Sequence, residues 1–162
     1  MQTPLPVPIL LQELASFATA LEMLLASPDT DWLWRPNPTS WSLTEVMCHL
    51  RDVEEEVHLV RYQAILAREN PFLPGASTDD WAAIRHYRTQ SGPAARDSFL
   101  SARKRTLALL SELSEEAWHR KGRHAFFGPT SLQELVSLAV QHDQIHLQQI
   151  QELRCRQSTN NN

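Results

Sequence analysis

Cysteine is scarce in this sequence, and the two residues present, Cys48 and Cys155, show none of the spacings of a disulfide framework. This scarcity excludes a small disulfide-stapled secreted domain and suits a reducing compartment. The N-terminus has no basic residues before its apolar run, no small-residue cleavage site and several early prolines, so it does not match a secretory signal. The sequence therefore predicts a cytoplasmic protein.

Long apolar runs and an excess of basic residues are also missing. No stretch approaches the roughly 20 apolar residues that cross a bilayer, so we expect no membrane partner. The 162 residues include 15 Lys plus Arg against 19 Asp plus Glu, and this net charge of −4 offers no basic surface to nucleic acid. The densest basic cluster is short, and we interpret it as a solvated helix face: Arg103, Lys104 and Arg105.

Four long segments repeat apolar residues at the 3.6-residue period of an amphipathic helix, whereas strand-like alternation and internal repeats are not found. The predicted helices cover residues 8–26, 42–68, 93–113 and 131–153 approximately. Ser42 and Glu45 match a capping box at the start of the second helix. A composition of 42% hydrophobic and 21% charged residues is ordinary for a globular domain, and the length suffices for one sizeable core.

The connections between these helices indicate their arrangement. Residues 70–93 are too many for a tight antiparallel hairpin, so we expect a crossover that starts the third helix far from the end of the second. Residues 114–131 predict a turn or a hairpin-like excursion. The fold class predicted is an all-α four-helix bundle, with a single domain over residues 1–156 and a disordered polar tail over residues 157–162.

Histidines interrupt the apolar stripe of the fourth helix. His142 and His146 lie one turn apart, near the middle of that stripe, where leucines are expected. Imidazoles aimed at a core need a partner, and a metal ion satisfies both, although such a pair also arises by chance on surfaces. His49, at the flank of the second helix's stripe, is either a third donor or a boundary histidine with acidic neighbours, depending on helix register. Three nitrogen donors match catalytic zinc sites that keep one position open.

Other candidate features have less support. The segment from His142 to His146 reads HDQIH and resembles the HExxH of zinc proteases, but Asp143 is one methylene shorter than the general-base glutamate, and no third ligand follows. The remaining histidines are predicted to lie at the surface or in loops: His58, His86, His119 and His124. The loop aromatic residues either wall a pocket over the metal or pack as core and lid: Trp32, Trp34, Trp81, Phe126 and Phe127.

Two motifs together resemble a known family. WSLTEVMCHL, residues 41–50, resembles the W-S-x-x-E-x-x-x-H-L motif that opens the second helix of the DinB-like, YfiT-related metal-binding four-helix proteins. The segment from His142 to Ile150 resembles that family's fourth-helix motif, H-D-x-x-H-x-x-Q-I. The resemblance covers nearly the whole chain. It implies an up-down-down-up bundle and a three-histidine divalent-metal site, which maps onto His49, His142 and His146.

The resemblance also implies a range of activities. Family members include bacillithiol transferases, a mycothiol-dependent isomerase and probable metal-dependent hydrolases, and members often dimerise. We therefore expect a homodimeric, metal-dependent enzyme of the thiol-transferase type that acts on a small molecule, such as a low-molecular-weight thiol. Zinc and nickel are the first metal candidates, followed by iron and manganese. A hydrolase of the same fold and a non-enzymatic, stress-related dimeric bundle remain open as alternatives.

Overall fold

The computed structural model describes residues 4–160. Its α-helices and strands, in chain order, are α1 (Val7–Leu24), α2 (Leu43–Val53), α3 (Leu59–Ala67), β1 (Phe72–Leu73), α4 (Trp81–Ile84), α5 (Gly92–Ser111), α6 (Glu115–Trp118), β2 (Lys121–His124), β3 (Gly128–Ser131) and α7 (Leu132–Asn160). A π-helical segment, Glu54–His58, joins α2 to α3, and a 3-10 turn, Tyr87–Thr89, precedes α5.

Four helical rods build the bundle: α1, the continuous rod from α2 through α3, α5, and α7. The rods α1 and α7 begin at the same end, where Gln133 Nε2 donates to the Leu5 carbonyl at 2.8 Å. The rods α2 and α5 begin at the opposite end. There Gly92 lies so close to Trp32 and Thr44 that an added Cβ would come within 2.4 Å of the indole. The helices therefore run up-down-down-up, and the predicted fold class is confirmed.

The crossover between the second and third rods lies against α2. Its α4 and 3-10 turn are held by the buried carboxylate of Asp52, which accepts from the Tyr87 hydroxyl and from Arg85 Nη1, both at 2.7 Å. The same guanidinium donates to Glu56 at 2.6 Å and stacks over the Trp81 ring at 3.7 Å. These contacts hold against α2 the crossover that the long connection predicted.

Three short strands close one end of the bundle, where the sequence showed no strand alternation. β1 pairs with β2 in parallel, through Phe72 and Arg123, and β2 pairs with β3 in an antiparallel hairpin, through Gly122 and Thr130. The hairpin agrees with the predicted excursion between the third and fourth helices. Strands of two and four residues are too short to display the period-two pattern on which strand prediction depends.

The last helix continues beyond its predicted end. The prediction of a disordered tail from residue 157 is wrong for residues 157–160, because α7 extends to Asn160; residues 161 and 162 lie outside the described residues. Gln157 is buried and its Nε2 donates to the Asp31 carbonyl at 2.7 Å, while Arg154 donates to Gln157 Oε1 at 2.9 Å. The polar composition of this segment suggested disorder, but its polar side chains contact the loop between α1 and α2.

The interior of the bundle has two apolar clusters with a polar layer between them. One cluster fills the end where α2 begins and includes Phe17, Leu21, Leu43, Met47, Phe99 and Ile150. The other fills the end closed by the strands and includes Leu10, Leu14, Tyr62, Leu110, Leu132 and Val136. The buried polar side chains between them come from α2, the π-helical segment, α5 and α7: His49, Glu54, His58, Arg103, Thr106 and Asp143.

Helix α1 is long and apolar enough to meet a length-and-composition test for a membrane span, with 18 residues and a mean hydropathy of 1.3. The core helix of a globular bundle meets the same test. Here the inner residues Leu10, Leu14, Phe17 and Leu21 are all buried in the bundle, so α1 acts as one of its core rods.

Candidate metal centre

The start of α2 fixes the position of His49. Ser42 Oγ accepts from the Glu45 amide at 3.3 Å, and Glu45 Oε2 accepts from the Ser42 amide at 2.9 Å, so the predicted capping box is formed. Such a box satisfies amides that the first helical turn leaves without partners. His49 follows Glu45 by one turn and lies on the same rod, with its side chain turned into the bundle.

The structure brings together the three predicted site residues. The imidazoles of His142 and His146, one turn apart on α7, have ring centroids 4.4 Å apart. The ring of His49 lies 5.3 Å from His142 and 4.9 Å from His146. One nitrogen from each ring lies within 4.8 Å of the others, and the Nε2 atoms of His49 and His142 are 3.1 Å apart.

All three histidines favour the neutral form. Burial, followed by repulsion from His146, lowers the pKa of His49 from 6.5 to about 4. Burial, followed by repulsion from His58, lowers the pKa of His142 to about 2, and burial also lowers the pKa of His146. Metal ligands must be deprotonated, so at neutral pH the cluster presents lone pairs without first having to release protons.

The donor set fits a divalent transition metal. Tetrahedral coordination with metal–nitrogen distances of 2.0–2.1 Å separates two ligand nitrogens by about 3.3 Å, close to the 3.1 Å between His49 and His142. His146 Nδ1 donates to Gln149 Oε1 at 2.8 Å, which leaves its Nε2 lone pair free for a metal. Imidazole nitrogen suits zinc, nickel, copper and iron. The residues present therefore fit such an ion.

Comparison with known proteins agrees with this geometry. The family profile of the DinB superfamily matches residues 10–150, which include most of every rod of the bundle and all three histidines. The chain belongs to the DinB superfamily.

This DinB chain is similar in structure to a solved four-helix protein. YfiT from Bacillus subtilis, described as a probable metal-dependent hydrolase with an unusual four-helix bundle topology, aligns with a TM-score of 0.82 and 19% sequence identity. The alignment covers 98% of this chain and 92% of YfiT. At this identity the likeness establishes the shared fold. No curated protein sequence matches the chain.

Next to the histidines of this DinB bundle, a buried arginine pairs with two carboxylates. Arg103 donates from Nε and Nη2 to Glu54 at 2.9 and 3.0 Å, and from Nη1 and Nη2 to Asp143 at 2.6 and 3.0 Å. The interpretation of Arg103 as part of a solvated face is wrong, since 1% of its surface is exposed. It follows Phe99 by four residues and precedes Thr106 by three, so its position in the apolar stripe was a signal of burial.

Because Asp143 is bound by Arg103, it does not take the general-base role that its position between the two histidines suggested. In a zinc protease the carboxylate between the two histidines acts on metal-bound water. Here both oxygens of Asp143 accept from Arg103, on the inner side of α7. The structure thus supports setting the protease interpretation aside.

A fourth histidine, His58, also lies beside the cluster. It was predicted to lie at the surface or in a loop, and that prediction is wrong: His58 is 9% exposed. Its Nδ1 donates to Glu54 Oε2 at 3.3 Å, and its ring meets the His142 ring edge-on with centroids 5.5 Å apart. His58 therefore forms part of the packing around His142.

The other three histidines lie outside the cluster. His86 and His119 are exposed, as predicted. His124 is buried in β2, contrary to prediction, because its Nδ1 accepts from the Phe126 amide at 3.2 Å and its ring stacks on Phe127 at 4.8 Å.

A cleft of about 640 Å³ opens on the histidine cluster at His146. Residues of the loop between α1 and α2 form one wall, and the last turns of α7 form the other; the lining includes Ser40, Trp41, Gln149, Glu152 and Arg156. The aromatic wall is thus Trp41, whose ring lies 5.1 Å from that of His49. Trp32, Trp34 and Trp81 pack instead against the apolar cluster, and Phe126 and Phe127 lie on the β2–β3 hairpin.

Proposed function

We propose that this protein is a metal-dependent enzyme of the thiol-transferase type, in which His49, His142 and His146 bind one divalent metal ion. Zinc or nickel is the first candidate, and iron or manganese the next. Three protein ligands leave a coordination position open, as in catalytic zinc sites. A metal bound there would act as a Lewis acid and lower the pKa of a coordinating thiol, whose proton would be released to solvent.

The observation that favours a thiol nucleophile is that the carboxylates packed around the histidines are already engaged. Glu54 and Asp143 pair with Arg103, and Glu45 is held in the capping box. Burial raises the pKa of Glu54, but Arg103 outweighs it and holds that pKa far below its ordinary value. Such a carboxylate is a poor proton acceptor. A thiolate needs no general base once coordinated, which makes this chemistry compatible with the site.

The cleft supports a small organic substrate. Its volume of about 640 Å³ lies in the range of small-molecule sites, and its walls provide hydroxyl, amide and charged groups beside one indole. Ser40 and Gln149 offer hydrogen bonds to a polar ligand, and Trp41 offers an apolar face close to His49. We propose a low-molecular-weight thiol and its acceptor as occupants, in a cytoplasmic homodimer.

A metal-dependent hydrolase is the second candidate, because the bundle shares its fold with YfiT, a protein described as a probable hydrolase of this kind. The same open position would then hold water, whose pKa a metal lowers toward 7. In that case Trp41, Gln149 and the other cleft residues would bind an ester or amide rather than a thiol.

Metal content tests the base of both candidates. Protein purified without a histidine tag and loaded with Zn²⁺ or Ni²⁺ is expected to retain about one equivalent, measured by elemental analysis. Loss of a residue that only supports a metal ligand weakens metal binding roughly 10–100-fold, so His142→Gln, which removes a ligand, should weaken it more. His119→Gln, at an exposed histidine, should leave metal binding unchanged. Retention below a tenth of an equivalent by the loaded wild-type protein would refute the proposal.

Turnover distinguishes the two chemistries. The metal-loaded protein is offered electrophilic acceptors with and without low-molecular-weight thiols, and esters and amides without thiols. Thiol-dependent product that requires His142 supports the transferase. Hydrolysis that is independent of thiol supports the second candidate, and a metal-loaded protein without either activity is the outcome expected of a non-enzymatic bundle.

A further inference from the structure

Arg103 is the side chain at which all four rods of the bundle meet. It projects from α5 and binds Glu54 on the second rod and Asp143 on α7. Its Nη1 also donates to the Leu14 carbonyl of α1 at 3.2 Å. The guanidinium carbon lies 4.9 Å from the Phe99 ring and 5.6 Å from the Phe17 ring. A single planar cation thus contacts every rod in the polar layer.

The partners of Arg103 are close in sequence to the metal-site histidines. Asp143 directly follows His142 on α7, so holding its carboxylate constrains both the rotation and the height of α7 at that histidine. Glu54 lies five residues after His49 on the second rod. It also accepts from Thr106 Oγ1 at 2.7 Å and from His58, whose ring packs on His142. The network therefore holds the two rods that must approach each other at the histidines.

A buried ion network of this kind adds little stability over an apolar packing of similar volume, and its best-supported role is to select one register among alternatives. Register matters at this site, because a metal site requires ligand distances within about 0.2 Å. We propose that Arg103 is a positioning residue for the metal site: by fixing α7 against the second rod it sets the spacing between His49 and His142. This inference rests on the proposed function, since it assumes that these histidines bind a metal.

Arg103→Lys tests the proposal while keeping one positive charge between the carboxylates. A lysine lacks the planar fork that contacts two carboxylates at once. Zn²⁺ affinity, measured by competition with a chromophoric chelator at a temperature where circular dichroism shows all proteins folded, is expected to fall roughly 10–100-fold. Arg105→Lys is the matched control: Arg105 is an exposed residue of the same helix, paired with Glu55 at 2.9 Å, and its exchange should leave affinity unchanged.

The absorption spectrum of bound Co²⁺ gives a second readout. Its ligand-field bands report the geometry of the coordinating atoms, so R103K is expected to alter their position or intensity although every ligand is retained. A merely structural Arg103 would lower the melting temperature and leave both the affinity and the spectrum of the folded protein unchanged. That result would overturn the proposal.

A triple variant, R103M with E54M and D143V, separates positioning from stability, because well-packed apolar side chains need no ion partner. It is expected to unfold cooperatively and to bind Zn²⁺ more weakly than the wild type, and it decides the matter if R103K fails to fold. Wild-type affinity in the folded triple variant refutes the positioning role. Failure of the wild-type protein itself to bind Zn²⁺ or Co²⁺ refutes instead the proposed function.

Discussion

Acidification is expected to destabilise the metal-free protein, because His49 and His142 are buried in their neutral forms. In the unfolded chain these histidines take up protons near pH 6.5, whereas in the native protein the pKa of His49 is about 4 and that of His142 about 2. Between these values the unfolded state binds more protons, so the free energy of unfolding falls as the pH is lowered. From pH 7.5 to pH 5 the loss is about 2 kcal/mol for each histidine.

Urea denaturation followed by circular dichroism, with a chelator present throughout, measures this loss at the two pH values. His49→Gln removes one of the titrating groups, so this variant is expected to lose about 2 kcal/mol less than the wild type between pH 7.5 and pH 5. His119→Gln, at an exposed position, is expected to follow the wild type. If wild type and H49Q lose equal stability, the native His49 is not held neutral, and the electrostatic argument for a preformed donor set fails.

Two further substitutions test how the chain positions the site. Ser42→Ala removes the hydroxyl that caps α2 and should lower the free energy of unfolding, measured by urea denaturation, by about 1 kcal/mol. Ser101→Ala, on the exposed face of α5, is the control and should change that free energy by less than about 0.5 kcal/mol. Equal effects of the two substitutions would contradict the capping role. Gly92→Ala places a Cβ against the Trp32 indole and should lower the free energy of unfolding by about 1–3 kcal/mol in the same measurement. An unchanged free energy of unfolding would show that α5 can move away from this loop.

The long rods were accessible from sequence because they depend on local pattern. The apolar stripe of α1 and the Ser42–Glu45 cap predict helix boundaries close to those observed. The approach of His49 to the α7 histidines is different, because it depends on the register between rods ninety residues apart. Spacing within one helix does not contain that information, and the resemblance to the DinB-like proteins supplied it.

The π-helical segment explains why His58 was misplaced. In a regular α-helix His58, nine residues after His49, would lie about 180° around the rod and face away from it. The π-helical segment at Glu54–His58 accommodates extra chain within one turn and rotates the following residues around the rod axis. The same segment places Glu54 and His58 together in the polar layer. A pattern with a constant 3.6-residue period does not anticipate such a local change.

The charge compensation that permits these residues to be buried was also beyond local pattern. Each of the three charged residues, Arg103, Glu54 and Asp143, lies in the apolar stripe of its own rod. Such a position indicates burial, but a single unpaired charge is unfavourable there. The two carboxylates are compatible with burial because both bind Arg103, and Arg103 is compatible with burial because it binds both carboxylates. That compensation is a property of three rods in contact, so it becomes visible only with the packed structure.

The Arg103 network also limits how this sequence can change over evolutionary time. Loss of Arg103 alone would leave two buried carboxylates without compensation, at a cost of about 3–5 kcal/mol, a large part of the 5–15 kcal/mol that stabilises a typical domain. Exchange of all three side chains for well-packed apolar ones avoids that cost, because no uncompensated buried charge remains. The two kinds of sequence are therefore separated by poorly folded intermediates. We expect Glu54, Arg103 and Asp143 to be inherited and replaced as a unit rather than to drift independently.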